Sequence, residues 1–352
     1  MARRLRPREA ILSMAPYSPP SGGRTDKLRL DFNENTIGCS PKVTEFLKGR
    51  LSENQLATYP EYSDARRELA AHFRVENEQM LVTNGTDEAI QVLVNTYVDD
   101  EDEVIILRPS YAMYRFYTEI AGGTIHEIDY RAGTLQFPLE ELLEAITSST
   151  RAVLISNPNN PTGAAVNIEG IERILRKASG AAVLIDEAYY EFCGITAIRY
   201  ITEFPNLFVS RTFSKVYGMA GMRIGCLFSS ATNIQYLHKS QSPYSVNMLA
   251  ALAARAAVQD TSYITKYVTE VLAARELVYV GLEKLKIPYF ESQGNFVLMQ
   301  LGAKASHVRD GMRDRGMLVR DRGHEIPGTV RVTVGTRDQM RTFLAALEQL
   351  WV

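Results

Sequence analysis

From about residue 40 to 245 the chain alternates short apolar runs with helical patterns, and this restricts the fold more than any other feature. The runs cover residues 80–83, 104–107, 153–155, 183–185, 207–210 and 224–228. Runs without polar alternation read as strands buried on both faces, and the helical segments between them supply the cover. The expected core is therefore α/β, a mostly parallel sheet with helices on both sides. From about Asn247 the pattern changes to long helices through Arg275 and Lys284, then strands near 296–300 and 330–334, and a closing helix from Asp338. With 352 residues the chain exceeds one ordinary core, so a large domain over 40–246 and a smaller α+β domain over 247–352 are expected, the arm 1–39 packing with the smaller one.

Charge and cysteine usage narrow the functional classes. A formal net charge of -2 makes no whole-protein case for nucleic acid or membranes. Arg3, Arg4, Arg6 and Arg8 give a basic start, but no long apolar segment follows, so neither a secretory signal nor a membrane span is expected. Cys39, Cys193 and Cys226 are scattered, as reduced thiols in the cytoplasm would be. The five histidines do not cluster, and no metal site is expected. Gly218, Gly221 and Gly225 have the wrong spacing for a dinucleotide fingerprint.

Residues 210–225 concentrate the chemistry. Lys215 stands among the hydroxyls of Thr212 and Ser214, three glycines follow, and Arg223 lies eight residues on. A lysine enclosed among polar groups can lose its proton and attack a carbonyl, whereas a solvated surface lysine is inert. The hydroxyls and Arg223 suit a phosphate, and a cofactor carrying both an aldehyde and a phosphate is pyridoxal 5'-phosphate. By itself the segment also reads as an ordinary loop lysine.

Three upstream segments bear on the choice. In Leu81-Val82-Thr83-Asn84-Gly85-Thr86-Asp87-Glu88 an apolar run meets a turn and a helix start. Helix-end amides hold phosphate, and Gly85 permits close approach; simple capping by Thr86, with Asp87 well placed in the first turn, is the alternative. In Asn157-Pro158-Asn159-Asn160-Pro161-Thr162-Gly163 a strand runs into a loop of fixed shape. Asn160 can donate to a phenolate-like oxygen there, or simply belong to a turn. In Ala182-Val183-Leu184-Ile185-Asp186-Glu187-Ala188-Tyr189 the carboxylate of Asp186 ends an apolar run. It needs a cationic partner such as a protonated pyridine nitrogen, unless it caps a loop.

Asn-Gly-Thr-Asp-Glu, Asn-Asn-Pro-Thr-Gly, Asp-Glu-Ala-Tyr, Ser-Lys with its following Arg, and the late Arg-Val-Thr-Val-Gly-Thr occur in this order. Together they resemble the fold-type I pyridoxal phosphate enzymes, and within them the histidinol-phosphate aminotransferase group of class I/II aminotransferases. The resemblance runs from about Tyr17 to the C-terminus. It implies Lys215 as the Schiff-base lysine, Asp186 on the pyridine nitrogen, Asn160 and Tyr189 on the ring hydroxyl, and Tyr111 stacked on the ring. Gly85, Thr86, Thr212, Ser214 and Arg223 would hold the phosphate, with Asp87 in the same cofactor segment. It also implies a homodimer with shared sites, Tyr59 reaching the phosphate of the neighbouring subunit, and a large domain that binds the cofactor.

On the substrate side, the resemblance assigns Arg331 to a substrate carboxylate or its counterpart, Arg320 to a substrate phosphate, and Tyr17 to closing the site. The residues alone leave Arg320 and Arg322 free to pair with Asp321 or Glu325. The implied reaction moves an amino group from histidinol phosphate to 2-oxoglutarate. An aromatic amino acid aminotransferase, or a decarboxylase related to the threonine-phosphate enzymes, would share the cofactor residues. A transcription regulator with an aminotransferase-like sensor half would carry a helix-turn-helix ahead of residue 40, and the arm there is short and rich in Pro and Gly. Asn33-Glu34-Asn35-Thr36-Ile37-Gly38 resembles the family's entrance loop Asn-Glu-Asn-Pro-Tyr-Gly, with Thr36 and Ile37 in place of Pro and Tyr.

Overall fold

The computed structural model describes residues 5–14 and 23–351. These contain twelve strands: β1 (Leu28–Leu30), β2 (Met80–Thr83), β3 (Glu103–Arg108), β4 (Thr124–Asp129), β5 (Thr150–Ser156), β6 (Ala182–Asp186), β7 (Leu207–Thr212), β8 (Gly225–Phe228), β9 (Tyr289–Phe290), β10 (Phe296–Gln300), β11 (Met317–Asp321) and β12 (Thr329–Thr333). Seven form one sheet in the order β2-β8-β7-β6-β5-β3-β4, and five form another in the order β1-β11-β12-β10-β9. Within the larger sheet β4, β3, β5, β6 and β7 run parallel, while β8 is antiparallel to both β7 and β2. This is the mostly parallel α/β architecture that the alternation predicts.

Burial explains why the strands lack polar alternation. Val104, Ile106, Leu154, Leu184 and Phe208 pack on one face with Ile90, Leu93 and Leu237 of the helices Gly85–Tyr97 and Ala231–Ser240. Ile105, Leu107, Val153, Val183 and Val209 face the other way, against Ile171, Ile174 and Ala253 of the helices Ile168–Lys177 and Met248–Gln259. Successive side chains point to opposite faces, and both faces are covered, so the central positions are apolar and polar residues such as Glu103, Arg108, Thr150 and Arg151 fall at the strand ends. The helix Ile168–Lys177 shows how its limits are set. Asn167 accepts from the Gly170 amide at its start, and Arg176 and Lys177 sit in its last turn, where cations suit the dipole.

Three strands escape a search for apolar runs. β4 reads Thr-Ile-His-Glu-Ile-Asp and is half-exposed at the sheet edge, β9 has two residues, and β1 pairs parallel with β11 almost three hundred residues away. The loop after β5 touches the loop before β10 at Gly163. Its carbonyl accepts from the Gln293 amide at 2.9 Å, its φ is +78°, and a Cβ there would lie 2.5 Å from Ser292 Oγ. Only glycine fits both the conformation and the contact. Among the described residues no helix is long and apolar enough to cross a membrane.

Candidate active site

β2, β3, β5, β6 and β7 all end at one edge of the larger sheet, and β8 begins there. The segments at 84–86, 109–111, 157–163, 187–189 and 213–223 therefore converge outside the carboxyl ends of the strands, where open α/β sheets bind ligands. Arg320 of β11 and Arg331 of β12 face them from the smaller sheet. A cavity of about 530 Å³ lies between. Thr86, Asp87, Tyr111, Asn160, Asp186, Tyr189, Thr212, Ser214, Lys215, Arg223, Arg320 and Arg331 all line it. Gly85 stands behind Arg223: a Cβ at that position would come within 2.7 Å of Arg223 Nη2. Tyr59 is not among the lining residues. It is 77% exposed, with its ring 4.6 Å from that of Tyr244. Tyr17 lies outside the described residues.

Asp186 is the most constrained polar group. It is 2% exposed and stands in register with Ser156 and Ser210 on the flanking strands. Ser210 Oγ donates to its Oδ1 at 2.8 Å and Tyr114 Oη to its Oδ2 at 2.9 Å. Burial outweighs these bonds and pushes its pKa up to about 6. A cation brought to this carboxylate would restore its charge.

Lys215 Nζ donates to the Phe32 carbonyl at 2.9 Å and lies 5.7 Å from the centre of the Tyr189 ring. The Tyr189 hydroxyl accepts from Asn33 Nδ2 at 3.0 Å. On the other side of the cavity Asp87 accepts from Tyr111 Oη at 2.6 Å and from Arg223 Nη2 at 2.9 Å. Thr212 Oγ1 accepts from the Ser214 amide at 3.0 Å. The helix Gly85–Tyr97 opens beside them with no side-chain cap on its first amides, so hydroxyls, a guanidinium and free helix-end amides point at one region. This donor set suits an anion.

The arginines divide by partner. Arg24 pairs with Asp31 and Glu34, Arg223 with Asp87, and Arg322 with Glu325. The pairing expected of Arg322 thus forms, but on the cavity wall, where its side chain is 11% exposed. Arg320 has no ion pair among the described residues and lies 5.4 Å from the centre of the Phe32 ring. Arg331 is 4% exposed and bonds to Asn160 Oδ1 and the Asp31 carbonyl, both neutral. Burial foremost, with Arg322 and Arg320 adding repulsion, brings its pKa down to about 10, which leaves it charged at neutral pH.

The chain belongs to the aminotransferase class I and II family. That family's model matches residues 25–347, and its members use pyridoxal phosphate. Histidinol-phosphate aminotransferase from a Geobacillus species is 33% identical, covering 97% of this chain and 96% of its own length. The enzyme of that name from Dehalococcoides mccartyi is 34% identical over 92% of this chain and 90% of its own. Among solved structures, histidinol-phosphate aminotransferase from Sinorhizobium meliloti in complex with pyridoxal-5'-phosphate superposes with a TM-score of 0.89 at 24% identity, covering 99% of this chain and 98% of that one. This likeness bears on the fold.

Several site residues escape sequence reasoning. Ser210 could have been found, since it stands two residues before Thr212 on the strand beside Asp186. Tyr114 lies one helical turn beyond Tyr111 and so shares its face. Arg24 and Phe32 belong to no motif read in the sequence, although Arg24 pairs with the nearby Asp31 and Glu34 and lies 4.4 Å from the centre of the Phe32 ring; Glu34 falls within the entrance-loop motif, which by itself does not announce that pairing.

The raised pKa of Asp186 makes a stability prediction. Between about pH 4 and 6 the folded, cofactor-free protein binds a proton that the unfolded chain releases. Stability therefore falls as pH rises through this window, and the loss is complete above it. A shift of roughly two units corresponds to about 3 kcal/mol. Asp186→Asn, whose amide can still meet Tyr114 and Ser210, should stabilise the cofactor-free protein at pH 8 by about 2 to 3 kcal/mol. The gain should shrink as pH falls from 6 to 4. Denaturant melts at several pH values measure it, and a gain independent of pH would contradict the assignment.

Proposed function

We propose that the protein is a pyridoxal phosphate-dependent aminotransferase that exchanges an amino group between histidinol phosphate and 2-oxoglutarate, giving imidazole acetol phosphate and glutamate. The observation that carries the substrate choice is the pairing of Arg320 with Arg331. They are direct cross-strand partners, and neither forms an ion pair with a carboxylate among the described residues, their contacts being the Phe32 ring for Arg320 and Asn160 Oδ1 and the Asp31 carbonyl for Arg331. Like charges placed opposite each other destabilise a strand pair, and an anion relieves them. Histidinol phosphate brings a phosphate and glutamate a carboxylate. The full-length relatives that share this name support the same choice.

The residues at the sheet edge suit the cofactor at both ends. Asp186 is a buried carboxylate in need of a cation, as a ring nitrogen provides, and Asn160 and Tyr189 offer polar atoms for a ring hydroxyl. Thr86, Thr212, Ser214, Arg223 and the uncapped helix amides offer donors for a phosphate. When bound, pyridoxal phosphate supplies a ring that draws electrons from the carbon bearing the amino group. Lys215 Nζ would move the proton between that carbon and the cofactor carbon, as general base and then general acid. Arg331 holds glutamate's carboxylate through paired donors, and Arg320 holds the phosphate of histidinol phosphate. Borohydride reduction of the cofactor-bound protein should label Lys215, and a label found on another lysine by peptide mapping would refute this role.

The two arginines separate the half-reactions. Losing a desolvated charge-assisted contact costs about 2 to 5 kcal/mol, so Arg320→Ala should lower kcat/KM for histidinol phosphate by roughly 30-fold to a few thousand-fold. The glutamate half-reaction should suffer much less, and Arg331→Ala should damage it badly. Single-turnover kinetics of each half-reaction measure this. Equal losses, or a parent enzyme inert toward histidinol phosphate, would shift the assignment to aromatic amino acids.

The same reading includes a homodimer. Tyr59 and Tyr244 form an exposed aromatic pair, and an exposed tyrosine assigned to a cofactor phosphate serves a site on another subunit. Sedimentation at assay concentration should give a dimer, and an active monomer would rule out shared sites.

A further inference from the structure

One carboxylate in the cavity lies among groups suited to an anion, where its own charge is unfavourable. Asp87 sits in the first turn of the helix Gly85–Tyr97, yet both its oxygens are taken by other segments. Oδ1 accepts from Tyr111 Oη at 2.6 Å, and Oδ2 from Arg223 Nη2 at 2.9 Å. Tyr111 follows β3, and Arg223 precedes β8. The Tyr111 ring meets Tyr114 edge-on, with centroids 5.8 Å apart, and Tyr114 donates to Asp186. Arg223, Asp87, Tyr111, Tyr114 and Asp186 thus form one connected series, from the donors suited to a phosphate to the carboxylate suited to a ring nitrogen.

Arg223 has a second bond, from Nη1 to the Ala220 carbonyl at 3.3 Å, and Gly85 leaves room for its guanidinium. Both features fix where the guanidinium lies, but only Asp87 ties it to the tyrosine. A long arginine side chain and a tyrosine ring each lose freedom when held, and a site that holds them beforehand spares a ligand that cost.

We propose that Asp87 is a positioning residue, whose carboxylate holds the Tyr111 ring and the Arg223 guanidinium in mutual register for pyridoxal phosphate without itself contacting it. This rests on the cofactor reading above and adds to it the element that sets the spacing of the site. Asparagine can replace the carboxylate in this role: its oxygen accepts from Arg223 while its amide donates to the tyrosine oxygen. Alanine cannot.

The test is equilibrium binding of pyridoxal phosphate to the cofactor-free parent and to Asp87→Ala, Asp87→Asn, Tyr111→Phe and the Asp87→Ala/Tyr111→Phe double variant, with melting temperatures of each cofactor-free protein. Asp87→Ala should raise Kd about tenfold or more, as expected for the loss of bonds to a charged group. Asp87→Asn should stay within about threefold of the parent. Adding Tyr111→Phe to Asp87→Ala should change Kd by less than about twofold, since partners acting as a unit are not additive. Unchanged or tighter binding by Asp87→Ala would show that the carboxylate only repels the phosphate and would overturn the proposal. So would an Asp87→Asn as weak as Asp87→Ala, or multiplying losses in the double variant. If Asp87→Ala melts far below the parent, Asp87→Asn against Tyr111→Phe decides: the proposal stands if the first binds like the parent and the second more weakly, and falls otherwise. A parent that does not bind pyridoxal phosphate overturns the cofactor reading and this proposal together, whereas a binding parent with the wrong variant pattern overturns this proposal alone.

Discussion

A parallel sheet covered on both faces leaves its strands almost no place for a polar side chain except at their ends, and the candidate site follows from that constraint. β6 and β7, and β5 from Ala152 on, are apolar until Asp186, Ser210 and Ser156, which lie side by side in register. Asp186 stands at the limit. It is still deep enough for burial to raise its pKa, and it is the first residue of its strand with neighbours able to donate to it. The same sheet geometry gathers the loops after β2, β3, β5, β6 and β7 at one edge, although they are spread over more than a hundred residues of sequence.

The smaller sheet adds charge to this edge. Three lining arginines are neutralised within the protein by carboxylates, at Arg24, Arg223 and Arg322. Arg320 and Arg331 are held instead by an aromatic face, an amide oxygen and a backbone carbonyl. Such partners orient a guanidinium without cancelling its charge. The cavity thus holds two oriented guanidinium groups without ion pairs opposite a buried carboxylate, an asymmetry suited to a ligand with anionic and cationic ends.

Much of this arrangement was legible in the sequence, because the parts that carry it are local. A strand followed by a polar loop marks its own C-terminal end, so Thr86, Asn160, Asp186 and Lys215 could be placed at a sheet edge from a few neighbours each. Long-range pairing left no such mark. β4 alternates weakly because it is an edge strand, and β1 is defined by β11 alone. The segment 31–35 reaches the site through bonds from Asn33 to Thr333 and Tyr189, and from Arg331 to the Asp31 carbonyl. No periodicity in 31–35 itself announces them. Family resemblance supplied roles for Tyr111, Arg320 and Arg331, whose residue types alone left ordinary alternatives open.

The departures in the entrance loop can be weighed in the same terms. Asn33 and Asn35, which match the family's loop, bond to Tyr189 Oη and the Val216 carbonyl beside Lys215. Thr36 turns away and donates from Oγ1 to Gln339 Oε1 at 2.6 Å, on the helix Arg337–Trp351. Ile37 is 52% exposed. Neither Thr36 nor Ile37 lines the cavity. A proline at 36 would fix φ and remove an amide; threonine anchors the same point through a side-chain bond to the C-terminal helix. Within one chain, therefore, the substitutions change how the loop is tethered, while the asparagines that meet Tyr189 and the Lys215 segment are retained.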